Sequence, residues 1–492
     1  MLLHDLLDAT DVLEVLNDSP ADVSDVTHDS RSVRAGALFC CVPGARVDGH
    51  TFAAAAVERG AVALLVEREV APSVPQARVR SVRDALGVLS ARAQGDPSHH
   101  LQVVGITGTN GKTTTTFLLE GVFAAASRHP AVIGTVGVRY GGRLEPVAFT
   151  TPEAPDLQRT FATLRERGAD VVAIEVSSHA LSEYRVDGTQ FAAVCFTNLT
   201  HEHLDYHGTL DEYFAAKARL FTPEFSDRCA INIDEVFGEA LVVRATTAGL
   251  DVVTYGIDDV AGNGVRANVR ARDLRGDASG TSFRLYIDGD GVDLRIPLPG
   301  RFNVANALAA AAAASALDLD LATIARGLAD APAVPGRFEP IGPGAPIAVF
   351  VDYAHTPDGI ATVLAAARSL TLGRVIAVFG CGGDRDPAKR AGMGAAAGRG
   401  ADVVVLTTDN PRSETPAEIA AAAEVGLRSV DATYTIELDR RQAIRHALRA
   451  AVGGDTVLIL GKGAESGQLV GDELLPFDDR LVAAEELESA WS

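Results

Sequence analysis

The segment VVGITGTNGKTTTT, residues 103–116, joins an apolar stretch to glycines, a lysine and hydroxyl side chains. The pattern predicts a buried strand, a loop and then a helix that opens at Thr113. Glycine N–H groups and a helix N-terminus bind anions, and Lys112 adds a cation. The usual phosphate loop needs glycine where this chain has Ile106, so the loop is a variant that starts at Gly105 or Gly108. We expect it to bind ATP or GTP, with Thr113 as a possible Mg²⁺ ligand.

Carboxylates and histidines follow in two segments, 170–188 and 196–221. The first predicts a strand that ends at Glu175, and the second carries acids and histidines, among them His203, ahead of Lys217. Because no cysteine accompanies them and a phosphate loop precedes them, magnesium is favoured over zinc. The ordinary alternatives are hydrogen-bonded histidines and a solvated charge for Lys217.

A third group of polar residues follows the apolar run ADVVVLTT, and it reads Asp409, Asn410, Pro411 and Arg412. Open α/β sheets expose their ligand-binding loops at the carboxyl ends of the strands. Pro411 stiffens the turn, and the planar guanidinium of Arg412 can hold a carboxylate through two parallel hydrogen bonds. A surface arginine after a strand is the alternative.

Polar breaks rich in Gly and Pro at 91–100 and 329–340 divide the chain into three blocks. In the last block apolar strands alternate with alanine-rich helical stretches, which is typical of a parallel α/β sheet. The alanine run 306–319 predicts a packed helix. We therefore predict an α/β protein with domains at 1–97, 98–335 and 336–492.

Composition limits the classes of partner. Asp and Glu number 65 against 44 Lys and Arg, a net charge of −21, which argues against nucleic acid and anionic membranes. The five cysteines are odd in number and lack C-x-x-C spacing, which favours a reducing cytoplasm. The amino terminus lacks the features of a signal peptide, and no apolar run reaches spanning length. We expect a cytoplasmic monomer.

Taken in order, a series of motifs resembles the Mur ligase family. The motifs are GTNGKTTT, EVSSHAL with RVDG, TNLTHEHLDYHGTLDEYFAAKARLF, GRFE, VDYAHTPD, FGCGGDRD, TDNPR and PFDDR. Residues 29–50 resemble the family's UDP-binding domain. The resemblance covers nearly the whole chain, and it implies a small UDP-binding α/β domain, a central P-loop-type ATPase domain and a Rossmann-like third domain.

The resemblance implies an ATP-dependent ligase of peptidoglycan precursor synthesis that uses Mg²⁺. The carboxylate of UDP-MurNAc-L-Ala-D-Glu would attack the γ-phosphorus of ATP, and the amine of an amino acid would attack the resulting acyl phosphate. Lys112, Lys217, Glu175 and His203 would be catalytic, with Lys217 carbamylated. Thr113, Glu175, His203 and Lys217 would hold the metal. The implied ATP contacts are Gly108, Thr109, Asn110, Gly111, Lys112, Thr113, Thr114, Asn303, Asn306, Arg337, Asp352 and His355.

The resemblance also supplies contacts for the other two substrates. For the UDP-substrate these are Ser30, Ala45, Arg46, Val47, Thr150, Thr151, Ser177 and Arg185. For the amino acid they are Arg385, Asp409, Asn410, Pro411, Arg412, Gly461 and Glu465. In the family, Asp-Asn-Pro-Arg marks members that add meso-diaminopimelate, whose far end carries a carboxylate. L-Lysine ends in an ammonium group, which Arg412 would repel.

Two segments depart from the family pattern. Ala464 stands where most relatives carry the histidine of a K-G-H-E segment, and residues 200–202 read THE instead of SRD. Three alternatives stay open at this point: addition of L-lysine or another amino acid, a related ligase such as folylpolyglutamate synthase, and a nucleotide-dependent switch without ligase turnover. The amino-terminal UDP-binding motif argues against the synthase.

Overall fold

Three large β-sheets follow one another along the chain in this computed structural model. It describes residues 1–44, 47–257 and 267–491, so the predicted UDP contacts Ala45 and Arg46 lie outside the described residues. Each sheet is mainly parallel and has helices packed against it. The prediction of a three-domain α/β fold is therefore confirmed.

The first sheet has five strands in the order β1-β5-β4-β3-β2, with only β1 antiparallel to its neighbour. These strands are β1 (Glu14–Leu16), β2 (Asp25–Thr27), β3 (Ala37–Cys40), β4 (Ala61–Val66) and β5 (Gln76–Arg78). Its helices are α1 (Leu3–Leu7), α2 (Ala53–Glu58) and α3 (Val82–Ala93). Strands β3 and β4 are continuously apolar and buried because helices or loops cover both faces.

The second sheet has eleven strands in the order β16-β15-β14-β13-β12-β11-β6-β10-β7-β8-β9. They are β6 (Gln102–Thr107), β7 (Pro130–Gly134), β8 (Gly137–Tyr140), β9 (Arg143–Glu145), β10 (Val171–Glu175), β11 (Ala193–Phe196), β12 (Arg228–Asn232), β13 (Asp251–Ile257), β14 (Val269–Asp277), β15 (Gly280–Ile287) and β16 (Asp290–Ile296). Strands from β14 to β7 are parallel, and antiparallel hairpins extend both edges.

Within the described ranges, eight helices accompany this sheet. They are α4 (Lys112–Ala125), α5 (Ala154–Glu166), α6 (Ser178–Ser182), α7 (Leu204–His207), α8 (Leu210–Ala218), α9 (Val236–Thr247), α10 (Arg301–Ser315) and α11 (Leu321–Ala329). The predicted alanine helix is α10, and its residues Ala309–Ala314 have no exposed surface. Their small side chains let α10 lie close to both α4 and the sheet.

The third sheet has six strands in the order β17-β18-β22-β19-β20-β21, with β17 antiparallel. They are β17 (Glu339–Pro340), β18 (Ala348–Asp352), β19 (Val375–Phe379), β20 (Val403–Leu406), β21 (Tyr434–Ile436) and β22 (Thr456–Leu460), and a separate hairpin pairs β23 (Gly467–Val470) with β24 (Glu473–Pro476). The helices are α12 (Pro357–Leu370), α13 (Lys389–Gly400), α14 (Pro416–Arg428), α15 (Arg440–Ala450) and α16 (Asp479–Trp491).

Two further observations bear on the expectations from composition. All five cysteines are buried and free. Among the helices of the described ranges, none is both long enough and apolar enough to cross a membrane.

Candidate functional site

The phosphate loop lies between β6 and α4, at the centre of the second sheet. Gly108 and Gly111 have φ angles of 152° and 87°, a backbone region that favours glycine. A Cβ at either position would overlap a side chain, Thr197 at Gly108 and Asn306 at Gly111. The loop is therefore closely surrounded, and the N–H groups of Thr109 and Asn110 donate to the Asn198 carbonyl oxygen at 2.9 Å and to the Asn198 Oδ1 at 2.8 Å. The N-terminus of α4, which follows the loop, is a favoured position for an anion.

Lys112 folds back over this loop. Its Nζ donates hydrogen bonds to the carbonyl oxygens of Gly108 and Thr109, each at 2.8 Å. Burial lowers the pKa of the ammonium, and the carboxylates of Glu175 and Glu202 partly offset that effect. The cation is thus held where the loop would receive a phosphate.

Glu175 lies beside the loop because β10 is the parallel neighbour of β6, with Glu175 opposite Ile106. Its Oε1 accepts hydrogen bonds from the Thr113 hydroxyl at 2.9 Å and from the Thr135 N–H at 2.8 Å. The Arg337 guanidinium, from the chain that enters the third domain, donates to the Thr113 hydroxyl at 3.0 Å. A carboxylate, a hydroxyl and a guanidinium therefore meet at the first turn of α4.

A cavity of about 250 Å³, called the nucleotide cavity below, opens at this point. Predicted residues that line it are Thr109, Asn110, Gly111, Lys112, Thr113, Thr114, Thr150, Glu175, Ser177, His203, Asn306, Arg337, Asp352 and His355. Gly108, Asn303 and Lys217 do not line it. Asn303 lies behind its wall and accepts a hydrogen bond from the Asn306 amide at 3.2 Å.

Lys217 is buried behind the phosphate loop, contrary to the default expectation of a solvated charge. Lys217 is only 1% exposed, and its Nζ lies 4.5 Å from the ring centroid of Tyr213. The Tyr213 hydroxyl in turn pairs with the Thr109 hydroxyl at 3.1 Å. Burial holds the pKa of Lys217 well below its usual value, and the Lys112 charge lowers it further. Burial therefore favours the neutral form of the amine, and the packing of α8 against α6 explains that burial.

A second cavity of about 550 Å³, called the amino-acid cavity below, lies at the carboxyl ends of the third sheet. Six of the seven predicted amino-acid contacts line it: Arg385, Asp409, Asn410, Arg412, Gly461 and Glu465. Pro411 does not. The strands β19, β20 and β22 are adjacent and parallel, so the loops that follow them meet at one edge.

Arg412 offers an unpaired guanidinium to this cavity. Its NH1 donates to the Gly383 carbonyl oxygen at 2.6 Å, and among the described residues it forms no ion pair with a carboxylate. The backbone of Arg412 is fixed, because its N–H donates to Leu469 at 3.0 Å and its carbonyl accepts from Gly471 at 2.8 Å. The guanidinium can therefore receive an external carboxylate.

A buried lysine orders the opposite wall. Lys462 is fully buried, and its Nζ donates to the Asn410 Oδ1 at 3.1 Å and to the Glu465 Oε2 at 3.0 Å. The Asn410 amide donates to the same Glu465 oxygen at 2.8 Å. Ala464, in the position of the usual histidine, is part of the tight turn 461–465, and its N–H lies against Gly336.

The two cavities share a wall. Five residues line both: Glu202, His203, Tyr353, His355 and Thr356. Glu202 Oε1 lies 3.7 Å from His203 Nε2 and 3.6 Å from His355 Nε2, which belongs to the third domain. Burial raises the pKa of Glu202, but nearby basic groups, among them the Lys112 ammonium, more than offset this effect and hold the pKa below its usual value. A carboxylate thus stands between the domains.

The predicted UDP-substrate residues form two groups. Thr150, Thr151, Ser177 and Arg185 lie together: the Thr151 hydroxyl accepts from the Ser177 N–H at 3.0 Å, and Arg185 donates to the Thr151 carbonyl at 3.2 Å. Thr150 and Ser177 line the nucleotide cavity, whereas Thr151 and Arg185 line neither cavity. Ser30 and Val47 lie in the first domain and also line neither. The structure therefore does not bring the two groups into one described cavity.

Sequence reasoning missed four residues that shape the site: Thr135, Glu202, Tyr353 and Lys462. Glu202 belongs to the segment THE. This segment departs from the family pattern, but the sequence alone indicates no role for Glu202. Lys462 lies inside GKGAES, two residues before Ala464, the position that departs from the family pattern. Tyr353 lies inside the motif VDYAHTPD, where only Asp352 and His355 are predicted contacts. Thr135 carries no local signal, because strand pairing alone brings it to the nucleotide cavity.

Comparison with known proteins gives matches along most of the chain. Three family models match: the Mur ligase middle domain at residues 106–314, the Mur ligase glutamate ligase domain at 336–463, and the Mur ligase family catalytic domain at 22–94. The proteins named UDP-N-acetylmuramoyl-L-alanyl-D-glutamate–2,6-diaminopimelate ligase from Geobacillus thermodenitrificans and Streptomyces coelicolor are 43% and 44% identical. The alignments cover 94% and 96% of this chain and 94% and 93% of those proteins.

Solved structures are also similar to this chain. A structure with the same ligase name is 33% identical, with a TM-score of 0.69 over 95% of both chains. Folylpolyglutamate synthase from Mycobacterium tuberculosis, at 20% identity and a TM-score of 0.63, shares the fold but covers 76% of this chain and 91% of its own.

Proposed function

This chain belongs to the Mur ligase family, and we propose that it joins 2,6-diaminopimelate to UDP-MurNAc-L-Ala-D-Glu at the expense of ATP. The observation that carries the proposal is the shared wall of the two cavities. A phosphate loop lines one and an unpaired guanidinium lines the other, with Glu202, His203 and His355 between them. An activated carboxyl group and an incoming amine can meet at this shared wall.

The first chemical step is phosphoryl transfer. The D-glutamyl carboxylate oxygen attacks the γ-phosphorus of ATP, a P–O bond forms, and the bond to ADP breaks. Little covalent work falls to the protein, so positioning and charge dominate. We assign Lys112 and the N-terminus of α4 to the phosphates, with Asn306, Arg337, Asp352 and His355 around the nucleotide.

The residues near the loop fit Mg²⁺. Thr113 and Glu175 supply oxygen, and His203 supplies an imidazole whose pKa burial lowers to about 4, leaving it neutral. Among the described residues no group of three or more His, Cys, Asp or Glu side chains is arranged for a metal. A magnesium ion would therefore share its coordination with phosphate oxygens and water, as it does in many nucleotide sites. Bound there, it would neutralise charge on the phosphates.

Lys217 fits the carbamate that the family resemblance implies. A lysine must be neutral to add to carbon dioxide, and burial favours that form. The carbamate would place a carboxylate-like group behind the loop, among Lys112, Tyr213 and Glu202. We propose that it supports metal binding there.

The second step forms the amide. The amine of diaminopimelate attacks the acyl phosphate, a tetrahedral intermediate forms, and phosphate leaves while a proton passes to solvent or a nearby base. We assign the far carboxylate of diaminopimelate to Arg412 and its far ammonium to the Asp409 and Glu465 side of the cavity. This division of charge favours an amino acid head group over the lone ammonium of lysine.

The decisive assay is phosphate release. We expect release only when ATP, UDP-MurNAc-L-Ala-D-Glu and meso-diaminopimelate are all present. Release without acceptor or amine would instead indicate a nucleotide-dependent switch. Faster release with L-lysine than with meso-diaminopimelate would overturn the substrate assignment while leaving ligase activity in place. Release with a folate substrate and glutamate would indicate the related synthase.

A further inference from the structure

Helix α3 of the first domain contacts two central-domain segments that carry predicted substrate residues. Arg83 NH1 donates to Glu153 Oε2 at 2.7 Å, two residues after Thr151. Gly87 lies so close to Asp187, two residues after Arg185, that a Cβ there would overlap the backbone. Positions four apart share one face of a helix, so a single turn of α3 attaches to both segments.

Glu153 is shared between this helix and the substrate site. Its Oε2 accepts from Arg83, and its Oε1 lies 3.0 Å from Arg185 Nε. The side chains of Glu153 and Arg185 are only 11% and 10% exposed, and that of Arg83 is 26% exposed. Ion pairs at this depth are screened much less by salt than surface pairs. Each carboxylate oxygen thus has its own guanidinium.

The other contacts of Arg185 leave part of its guanidinium available. Glu183 Oε2 accepts from Nε at 3.1 Å and from NH2 at 2.6 Å, and the Thr151 carbonyl accepts from NH1 at 3.2 Å. Phe149 lies against the flat face, with its ring centroid 4.6 Å from Cζ. A guanidinium has five N–H donors. One N–H on each terminal nitrogen therefore has no acceptor among the described residues.

We propose that Arg83 and Glu153 are positioning residues that orient Arg185 for the UDP-substrate. Docking of the first domain thereby sets the substrate site of the central domain. This inference rests on the proposed function. It goes beyond that function because Arg83 touches neither cavity. Without Arg83, Glu153 can turn both oxygens toward Arg185 and occupy an N–H that otherwise faces the substrate.

The test is a kinetic comparison of Arg83→Gln with the wild type. We expect the KM for UDP-MurNAc-L-Ala-D-Glu to rise about five- to tenfold, the effect of weakening one charge-assisted hydrogen bond. The KM values for ATP and diaminopimelate, and kcat at saturation, should change less than about twofold because those sites are untouched. Arg83→Lys should recover much of the lost affinity, since it restores the charge.

Arg159→Gln is the matched control. Arg159 pairs with Asp25 at 3.1 Å, so this variant also removes an ion pair between the first and central domains, but one without contact to Arg185. We expect its KM for the UDP-substrate to stay near the wild-type value. Equal KM increases in the two variants would mean general loosening of the interface and would overturn the proposal.

A double variant separates positioning from independent binding. In an Arg185→Ala background, adding Arg83→Gln should change the KM no further, because Arg83 acts through Arg185. If Arg83→Gln raised the KM as much in the Arg185→Ala background as it does in the wild type, Arg83 would not act through Arg185. If Arg83→Gln unfolds, Glu153→Asp keeps the charge but shortens the reach, and it should raise the same KM. A wild type that does not turn over UDP-MurNAc-L-Ala-D-Glu would instead refute the proposed function.

Discussion

The Arg440 guanidinium and the Asp479 carboxylate form a two-bond ion pair without exposed surface on either side chain. The two bonds measure 2.7 and 2.6 Å, and Arg440 also donates to the carbonyl oxygens of Thr408 at 3.2 Å and Leu460 at 3.0 Å. Thr408 precedes Asp409, and Leu460 precedes Gly461. The motif PFDDR therefore fixes both loops of the amino-acid cavity from beneath.

Asp479→Asn should destabilise the protein strongly, because it leaves a buried guanidinium without its countercharge. Breaking one partner of a buried pair costs about 3–5 kcal/mol. Urea unfolding followed by circular dichroism measures the loss. Glu485→Gln, on the same helix but in a surface pair whose carboxylate is 61% exposed, should cost less than about 1 kcal/mol. Equal losses would refute the structural role of the buried pair.

Lys112→Ala should abolish ATP-dependent ligation and leave binding of the UDP-substrate nearly unchanged. The lysine cation lies over the phosphate loop, while Ser30, Val47 and Arg185 lie elsewhere. Calorimetric titration with UDP-MurNAc-L-Ala-D-Glu and a phosphate-release assay measure the two properties separately. Near-normal turnover in this variant would contradict the phosphate-loop assignment.

Lys217→Ala should be nearly inactive but partly rescued by acetate or formate. The truncated side chain leaves a buried space in which a small carboxylate can replace the proposed carbamate. Lys217→Met is the matched control: it fills the same space with apolar atoms, so added carboxylates should not restore turnover. Wild-type rates in Lys217→Ala, or equal rescue of both variants, would eliminate the carbamate.

Arg412→Ala should lose meso-diaminopimelate turnover by about a hundredfold or more, since its guanidinium is assigned to a substrate carboxylate. The comparison is kcat/KM for meso-diaminopimelate and L-lysine in the wild type and the variant. Arg428→Ala removes a guanidinium whose side chain is 70% exposed, and it should leave both values unchanged. Full diaminopimelate activity in Arg412→Ala would overturn the specificity argument.

Asp455 predicts a distinct acid dependence of stability. Burial would raise the pKa of this carboxyl, but hydrogen bonds from the side chain and N–H of Arg374 and from the Val452 N–H hold it below its usual value. A lowered folded-state pKa stabilises the protein above the ordinary value and stops doing so as pH falls through the folded value. Asp455→Asn should therefore be less stable than the wild type near pH 6, with the difference shrinking below about pH 3.8.

The urea unfolding midpoints of the wild type and Asp455→Asn, measured from near pH 6 to below about pH 3.8, test the direction of this change. Asp318→Asn, whose carboxylate is 82% exposed, serves as the control and should show little difference from the wild type at any pH. A gap between Asp455→Asn and the wild type that widens on acidification would contradict the prediction.

The sequence by itself determined the features that depend on neighbours along the chain. Local periodicity and glycine placement predict the strand, loop and helix around Lys112 and the strand that ends at Glu175. They also predict the alternation of strands and helices in the third domain. The guanidinium at Arg412 was also predictable, because a loop after a parallel strand opens at the ligand edge of the sheet.

Only the tertiary structure decided which charges are buried and which ones meet. Lys217 looks like a solvated residue of an amphipathic helix, and it loses its water because α8 packs against α6. Glu202 gains its position between the cavities from a loop of one domain and His355 of another. The carboxylate that Arg83 shares with Arg185 joins residues about a hundred positions apart. Burial and charge pairing depend on distances through space, and no local pattern encodes them.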